Sequence, residues 1–289
     1  MTNVEKEKIA NNLKAFYEQV GSQNKATERI KGAGVSTLSN MSKGKWDNIT
    51  DGMWRKVAMQ IGMPMEWVTV ETTPFKKMNK LLRHSQEDST VHAIIGMAGL
   101  GKTHALKMYE KENDNAYLIS CREYWNRKDF LQEILRVIGV DSSGLSMPAM
   151  VWRVTAELKK KPNPLLMFDE SDKLSDQVFS FFITFYNELE NECGIVLSAT
   201  SHLMKRIDKG LRLDRKGYKE IYSRIGRTFV ELAPATKKEL KTICMANNMD
   251  DTEKIKTTIE NCEGDIRKVK DNVKAYRKKV IKEEAERAS

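Results

Sequence analysis

Residues 94–106, IIGMAGLGKTHAL, decide the fold. An apolar run stops at Gly96, crosses a turn broken by Gly99 and Gly101, and restarts beyond Lys102. Gly96, four residues, then Gly101, Lys102 and Thr103 have the spacing of a phosphate-binding loop. The flanks agree: VHAII reads as a short buried strand and KTHALKMYE as the start of a helix. Glycines let successive amides turn inward around phosphate oxygens, and the helix N-terminus adds a positive field. Gly96, Met97, Ala98, Gly99, Leu100, Gly101, Lys102, Thr103 and His104 are therefore the expected nucleotide contacts. Lys102 is placed to neutralise the β and γ phosphates, and the Thr103 hydroxyl to hold a magnesium ion.

A second strand is needed to bring carboxylates to that metal, and PLLMFDE at 164–170 supplies it. Leu165 to Phe168 is a continuous apolar run, which fits a strand buried on both faces. Asp169 and Glu170 follow at its C-terminal end, the edge at which open α/β sheets bind ligands. In this Walker B pattern Asp169 meets the magnesium and Glu170 polarises the attacking water. The two motifs together predict ATP and Mg2+ as cofactors and ATP hydrolysis as the reaction.

The 289 residues, 40% of them hydrophobic, suffice for one large domain with small attachments. No apolar run approaches the roughly 20 residues of a membrane span, and MTNVEKEKIANNLK lacks a signal-peptide core, so a cytoplasmic protein with no membrane partner is expected. Cys121, Cys193, Cys244 and Cys262 are scattered without a close pair and read as packing residues.

The net charge of +9 favours a polyanionic partner, with nucleic acid the first candidate. Much of the excess is in LMKRIDKGLRLDRKGYKE, which carries Lys205, Arg206, Lys209, Arg212, Arg215 and Lys216. Residues 1–62 differ in character, being polar and helical in pattern. The stretch MPMEWVTVETTP, with two prolines, separates them from the core as a linker or first strand. Within them SQNKATERIKGAGVSTLSNMSKG reads as a helix-turn-helix: a short helix from Gln23 to Ile30, a turn at Gly32 and Gly34, then a second helix. Val35, Leu38 and Met41 take the inner face, leaving Ser36, Thr37, Ser39, Asn40 and Lys43 outward as DNA contacts. This segment resembles phage-repressor DNA-binding domains.

Farther along, CGIVLSATSHL reads as another buried strand, EIYSRIGRTFVEL places arginines before a strand, and CEGDIRKVKDNVKAY opens a helix. Over 66–289 the order of elements resembles the AAA+ class. That resemblance implies a γ-phosphate sensor at Thr200, with Ser201 as runner-up. It also implies an arginine finger acting on a neighbouring subunit at Arg224, with Arg227 as alternative, and a lid arginine, Arg267, reaching the nucleotide. With the repressor-like segment added, GMAGLGKT, LLMFDES, GIVLSATSH and YSRIGR in this order resemble the MuB-type target-selection ATPases of transposing phages, kin to TnsC, IstB and the DnaC-type loaders.

The expected fold class is thus α/β, an AAA+ P-loop core at 66–232, with a helix-turn-helix domain at 1–65 and a small helical lid at 233–289. The resemblance implies subunits that polymerise with ATP around double-stranded DNA, select transposition target DNA, recruit a transposase and disassemble on hydrolysis. A helicase loader and an ATP-switched transcription regulator are the alternative functions.

Overall fold

The computed structural model describes residues 1–63 and 67–288. The chain forms two compact units, Glu71–Ala235 and a second made from Met1–Val70 together with Thr236–Ser289. The boundary expected at 65/66, and Pro64 of the expected linker, lie outside the described residues.

The first unit is built on a five-stranded parallel sheet: β1 (Val91–Ile95), β2 (Ala116–Ser120), β3 (Leu165–Asp169), β4 (Gly194–Ala199) and β5 (Val230–Glu231), in the order β2-β3-β4-β1-β5. Period-2 alternation sorts its side chains into two cores. Ala93, Ile95, Leu166, Phe168, Ile195 and Leu197 face one way, onto Phe130, Leu131, Met150, Val154 and Phe185 of the covering helices. Ile94, Leu165, Met167 and Val196 face the other way, onto Met78, Leu82, Leu106 and Tyr109. Both faces are covered, which is why the strands read as unbroken apolar runs rather than as alternating ones.

Residues 67–72, expected to be a linker or first strand, form no strand. Thr72 instead caps the helix Thr73–Glu87, with Pro74 in its first turn, where a missing N–H is harmless. That helix runs so close to β4 that a Cβ on Gly194 would lie 2.1 Å from the Ser85 carbonyl oxygen and 2.9 Å from Leu165 Cδ1. The obstacle is backbone and cannot rotate away. Gly194→Ala is expected to destabilise this unit by about 3 kcal/mol, lowering its melting temperature by roughly 6–12 °C; an unchanged melt by calorimetry would disprove the close approach.

In the second unit the helices Asn3–Val20, Gln23–Arg29, Val35–Ser42 and Asp51–Gln60 enclose Leu13, Ile30, Leu38, Met41, Trp54 and Val57. Leu38 and Met41 are inside as expected, but Val35 is 51% exposed. It opens its helix, in the first turn, where spacing alone overstates burial. The C-terminal helices Lys237–Ala246, Thr252–Asn261 and Ile266–Ala288 belong to the same unit. Buried Asn247 accepts the Val68 N–H at 2.9 Å and donates to the Val68 carbonyl at 3.0 Å, pairing with that backbone as a strand would. Arg277 donates to the Asn247 carbonyl at 2.7 Å and lies, with Lys270, against the Trp67 ring. Lys56 reaches Asp250 at 3.1 Å.

Candidate active site

The loop 96–101 leaves β1 at the C-terminal edge of the sheet, with the Gly96 N–H donating to the Ala199 carbonyl at 3.1 Å. Gly99 and Gly101 have φ of 82° and 88°, left-handed angles that side chains resist, and Gly101 starts the helix Lys102–Glu112. A Cβ on Gly96 would lie 3.0 Å from Leu100 Cδ1 and 3.5 Å from Lys102 Cδ, so the loop is drawn in tightly around the lysine stem. The Lys102 ammonium donates to the carbonyls of Gly96 at 2.5 Å and Met97 at 2.9 Å. It thus spans the loop, where an anion would draw it off the carbonyls. Met97, Ala98 and His104 are exposed, while Gly99 and Leu100 are buried.

Asp169 ends β3 and is only 2% exposed. Its Oδ2 accepts the Thr103 hydroxyl at 2.6 Å, and its Oδ1 accepts the Ser198 hydroxyl at 3.1 Å and the Glu170 N–H at 3.0 Å. The structure therefore brings together the two expected metal ligands, Thr103 and Asp169. A hard oxygen pair beside a glycine cradle fits Mg2+ carried by a nucleotide phosphate, the metal taking few ligands from protein and the rest from phosphate and water. Ser198 orients the carboxylate, a role its apolar strand context concealed.

Glu170 has φ of 54°, a left-handed conformation that costs a non-glycine residue about 1–3 kcal/mol. Its carboxylate projects from the end of the strand and pairs with the Lys173 ammonium at 2.7 Å. The hydrogen bond to Glu170 is the main reason the Lys173 pKa lies above its ordinary value. Thr200 donates its hydroxyl to Asp172 at 2.5 Å and accepts the His202 N–H at 3.3 Å, capping the helix Ser201–Arg212. Ser201, the runner-up sensor, is exposed on that helix. Asp172 and Lys173 were not expected from the sequence. Their only signal was the charged pair in DESDKL. Cys121, beside this cluster, is fully buried, and desolvation, with the nearby Asp169 carboxylate, pushes its thiol pKa up, so it is no nucleophile.

The remaining candidates spread outward. Arg224 ends the helix Tyr218–Arg224 with its guanidinium 4.6 Å from the Tyr186 ring centre and bonded to Asn187 at 3.1 Å. Arg227 is exposed in the following turn at φ of 56°. Lys205, Lys209, Arg212, Arg215 and Lys216 are exposed on the helix Ser201–Arg212 and just beyond it. Arg206 does not belong with them. It is 19% exposed, pairs with Asp176 at 2.6 Å, donates to the Leu174 carbonyl and the Tyr218 hydroxyl, and stacks on Phe179. A guanidinium so occupied is structural, which corrects its expected role as a DNA contact. In the helical unit Ser36, Asn40 and Lys43 are exposed, Thr37 and Ser39 half-buried, and Arg267 is exposed in the first turn of its helix.

Residues 85–207 match the AAA domain family. The chain is also 24% identical over 161 residues to the Mu-like prophage FluMu DNA transposition protein B of Haemophilus influenzae. The match covers 55% of this chain and 54% of that protein, about half the length of each. Together they support the resemblance to a MuB-type AAA+ ATPase read from the sequence. Among the described residues no helix is long and apolar enough to cross a membrane.

Proposed function

From the premise that this chain has an AAA domain and is similar to a prophage DNA transposition protein B, we propose that it is an ATP-dependent DNA-binding ATPase. It assembles on duplex DNA, marks that DNA as a transposition target and recruits or activates a transposase. Hydrolysis takes the assembly apart. The observation carrying this reading is the cluster at the mouth of the loop, where Thr103 and Ser198 hold Asp169 and the next residue, Glu170, presents a carboxylate beyond it.

In this reading Lys102 leaves the Gly96 and Met97 carbonyls for the β and γ phosphates. Thr103 and Asp169 would hold a Mg2+, which when bound would supply positive charge against the phosphate oxygens. Glu170 accepts a proton from the attacking water, and Thr200 reports on the γ-phosphate from the end of β4. Arg224 serves a neighbouring subunit, and Arg267 contacts the nucleotide from the helical unit. The DNA surface is the exposed set Lys205, Lys209, Arg212, Arg215 and Lys216, with the helix Val35–Ser42 as a second contact through Ser36, Thr37, Ser39, Asn40 and Lys43.

Duplex binding with ATP, ADP or no nucleotide, imaged by negative-stain microscopy, tests the proposal. ATP-dependent coating of random-sequence duplex supports it; nucleotide-independent binding at one discrete sequence would make the protein a transcription regulator, and preference for single strands a helicase loader. A contact made by lysine and arginine to phosphates is also salt-sensitive. The Lys209→Ala, Arg212→Ala double variant is expected to flatten the slope of log affinity against log salt by about 2, and an unaltered slope would move the DNA surface elsewhere.

A further inference from the structure

We propose that Leu213 is a wedge: with duplex DNA on the basic surface, its side chain enters the minor groove and parts two stacked base pairs. This rests on the reading of Lys209, Arg212 and their neighbours as the DNA surface, and adds what that surface does to the duplex.

Leu213 stands at the tip of a helical hairpin. It follows the helix Ser201–Arg212, and residues 213–217 turn the chain into the helix Tyr218–Arg224. Leu211 packs on the core, and Leu213, two positions and about 200° farther round the helix, faces away from it. Leu213 is 58% exposed. The helix closes with the Arg215 N–H donating to the Gly210 carbonyl at 2.9 Å and the Asp214 N–H to the Leu211 carbonyl at 3.1 Å. An apolar contact between the outer residue and the last turn commonly accompanies such a close. In this turn those positions are Arg215 and Gly210, so the close supplies no apolar cover for Leu213.

The tip is held in one orientation. Gly210 lies so close to the Tyr218 ring that a Cβ would be 2.3 Å from it. The Tyr218 hydroxyl donates to Asp176 at 2.8 Å and accepts from Arg206 at 3.1 Å. Arg206, structural rather than DNA-facing, thus braces the hairpin behind its apolar point. A wedge fixed in advance loses little freedom on entering the base stack.

The surroundings of Leu213 choose its partner. Lys209 lies one turn back on the same face, and Arg212, Arg215 and Lys216 flank the leucine along the chain, all exposed. Asp214, the adjacent carboxylate, is taken by Lys219 at 2.6 Å, and Asp208 and Glu220 leave the cations in excess. The core of a protein–protein interface is depleted of charge. One apolar side chain ringed by lysine and arginine instead fits a minor groove, where the cations meet phosphates and the wedge meets base faces.

Two readouts on Leu213→Ala and Leu213→Met, with ATP and random-sequence duplex, test the wedge. Leu213→Ala is expected to weaken duplex binding about tenfold at every salt concentration, the effect of losing one buried leucine side chain. The slope of log affinity against log salt should stay as in the wild type, because no phosphate-neutralising charge is removed. The second readout is permanganate oxidation of unstacked thymines. Reactivity should rise in the wild-type complex, fall to the free-duplex level in Leu213→Ala and return in Leu213→Met. Thymines in Leu213→Ala as reactive as in the wild-type complex, or unreactive in both, overturn the wedge alone, provided the Lys209→Ala, Arg212→Ala variant still flattens the salt slope. Loss of ATP-dependent assembly by Leu213→Ala in sedimentation without DNA also overturns it, making Leu213 a contact between copies. A slope untouched by Lys209→Ala, Arg212→Ala removes the DNA surface and the wedge with it.

Discussion

Glu170→Gln is expected to lower ATP turnover by about a thousandfold while leaving ATP binding intact. The amide matches the carboxylate in shape and still reaches Lys173, but takes no proton from water. Asp169 is untouched, so the Thr103 and Ser198 hydroxyls keep their acceptor and the pairing at the mouth of the loop survives. Binding and hydrolysis should therefore come apart: DNA-bound assemblies formed with ATP persist in the variant and dissolve in the wild type. Quench-flow turnover beside a fluorescent-nucleotide titration measures both. A loss under tenfold would remove Glu170 from the chemistry, and a parallel loss of affinity would mean that the substitution disturbed the loop.

Arg224→Ala should have an effect of similar size, about a thousandfold, by removing positive charge from a neighbour's transition state. The Tyr186 ring and the Asn187 amide hold the Arg224 guanidinium in one orientation, so little freedom is lost on reaching a neighbouring site. Action between subunits has a signature that defects within one subunit cannot imitate. Arg224→Ala and Lys102→Ala, each inactive alone, should recover turnover when mixed, because one subunit supplies the arginine and the other an intact loop. Absence of recovery would place Arg224 in its own subunit's structure. Loss on Arg227→Ala instead would pass the role to the exposed arginine.

What the sequence disclosed was what depends on neighbours along the chain. The loop, the helix after it, and the strands ending in Asp169 and Ala199 are contiguous patterns, and each forms where its residues predict. Side chains whose meaning depends on a distant partner stayed hidden. Ser198 sits in an apolar strand and acquires its role only when β3 lies alongside and presents Asp169. Arg206 looked like one more cation in a basic run until folding brought Asp176 and Phe179 to it. Asp172 and Lys173 were given no role, because what each holds, Thr200 and Glu170, cannot be told from composition. The joining of N-terminal and C-terminal segments into one unit was hidden for the same reason, since Val68 and Asn247 are 179 positions apart.

That pairing of Val68 with Asn247 has a genetic consequence. The unit built on the parallel sheet is inserted in sequence between two segments that form one helical unit, so the first 70 residues and the last 54 are halves of one heritable module. A crossover that swaps the N-terminal helices alone delivers a foreign backbone to Asn247, a foreign ring to Arg277 and Lys270, and a foreign partner to Asp250. Functional exchange between relatives should therefore carry both ends together, or change only the stretch between them.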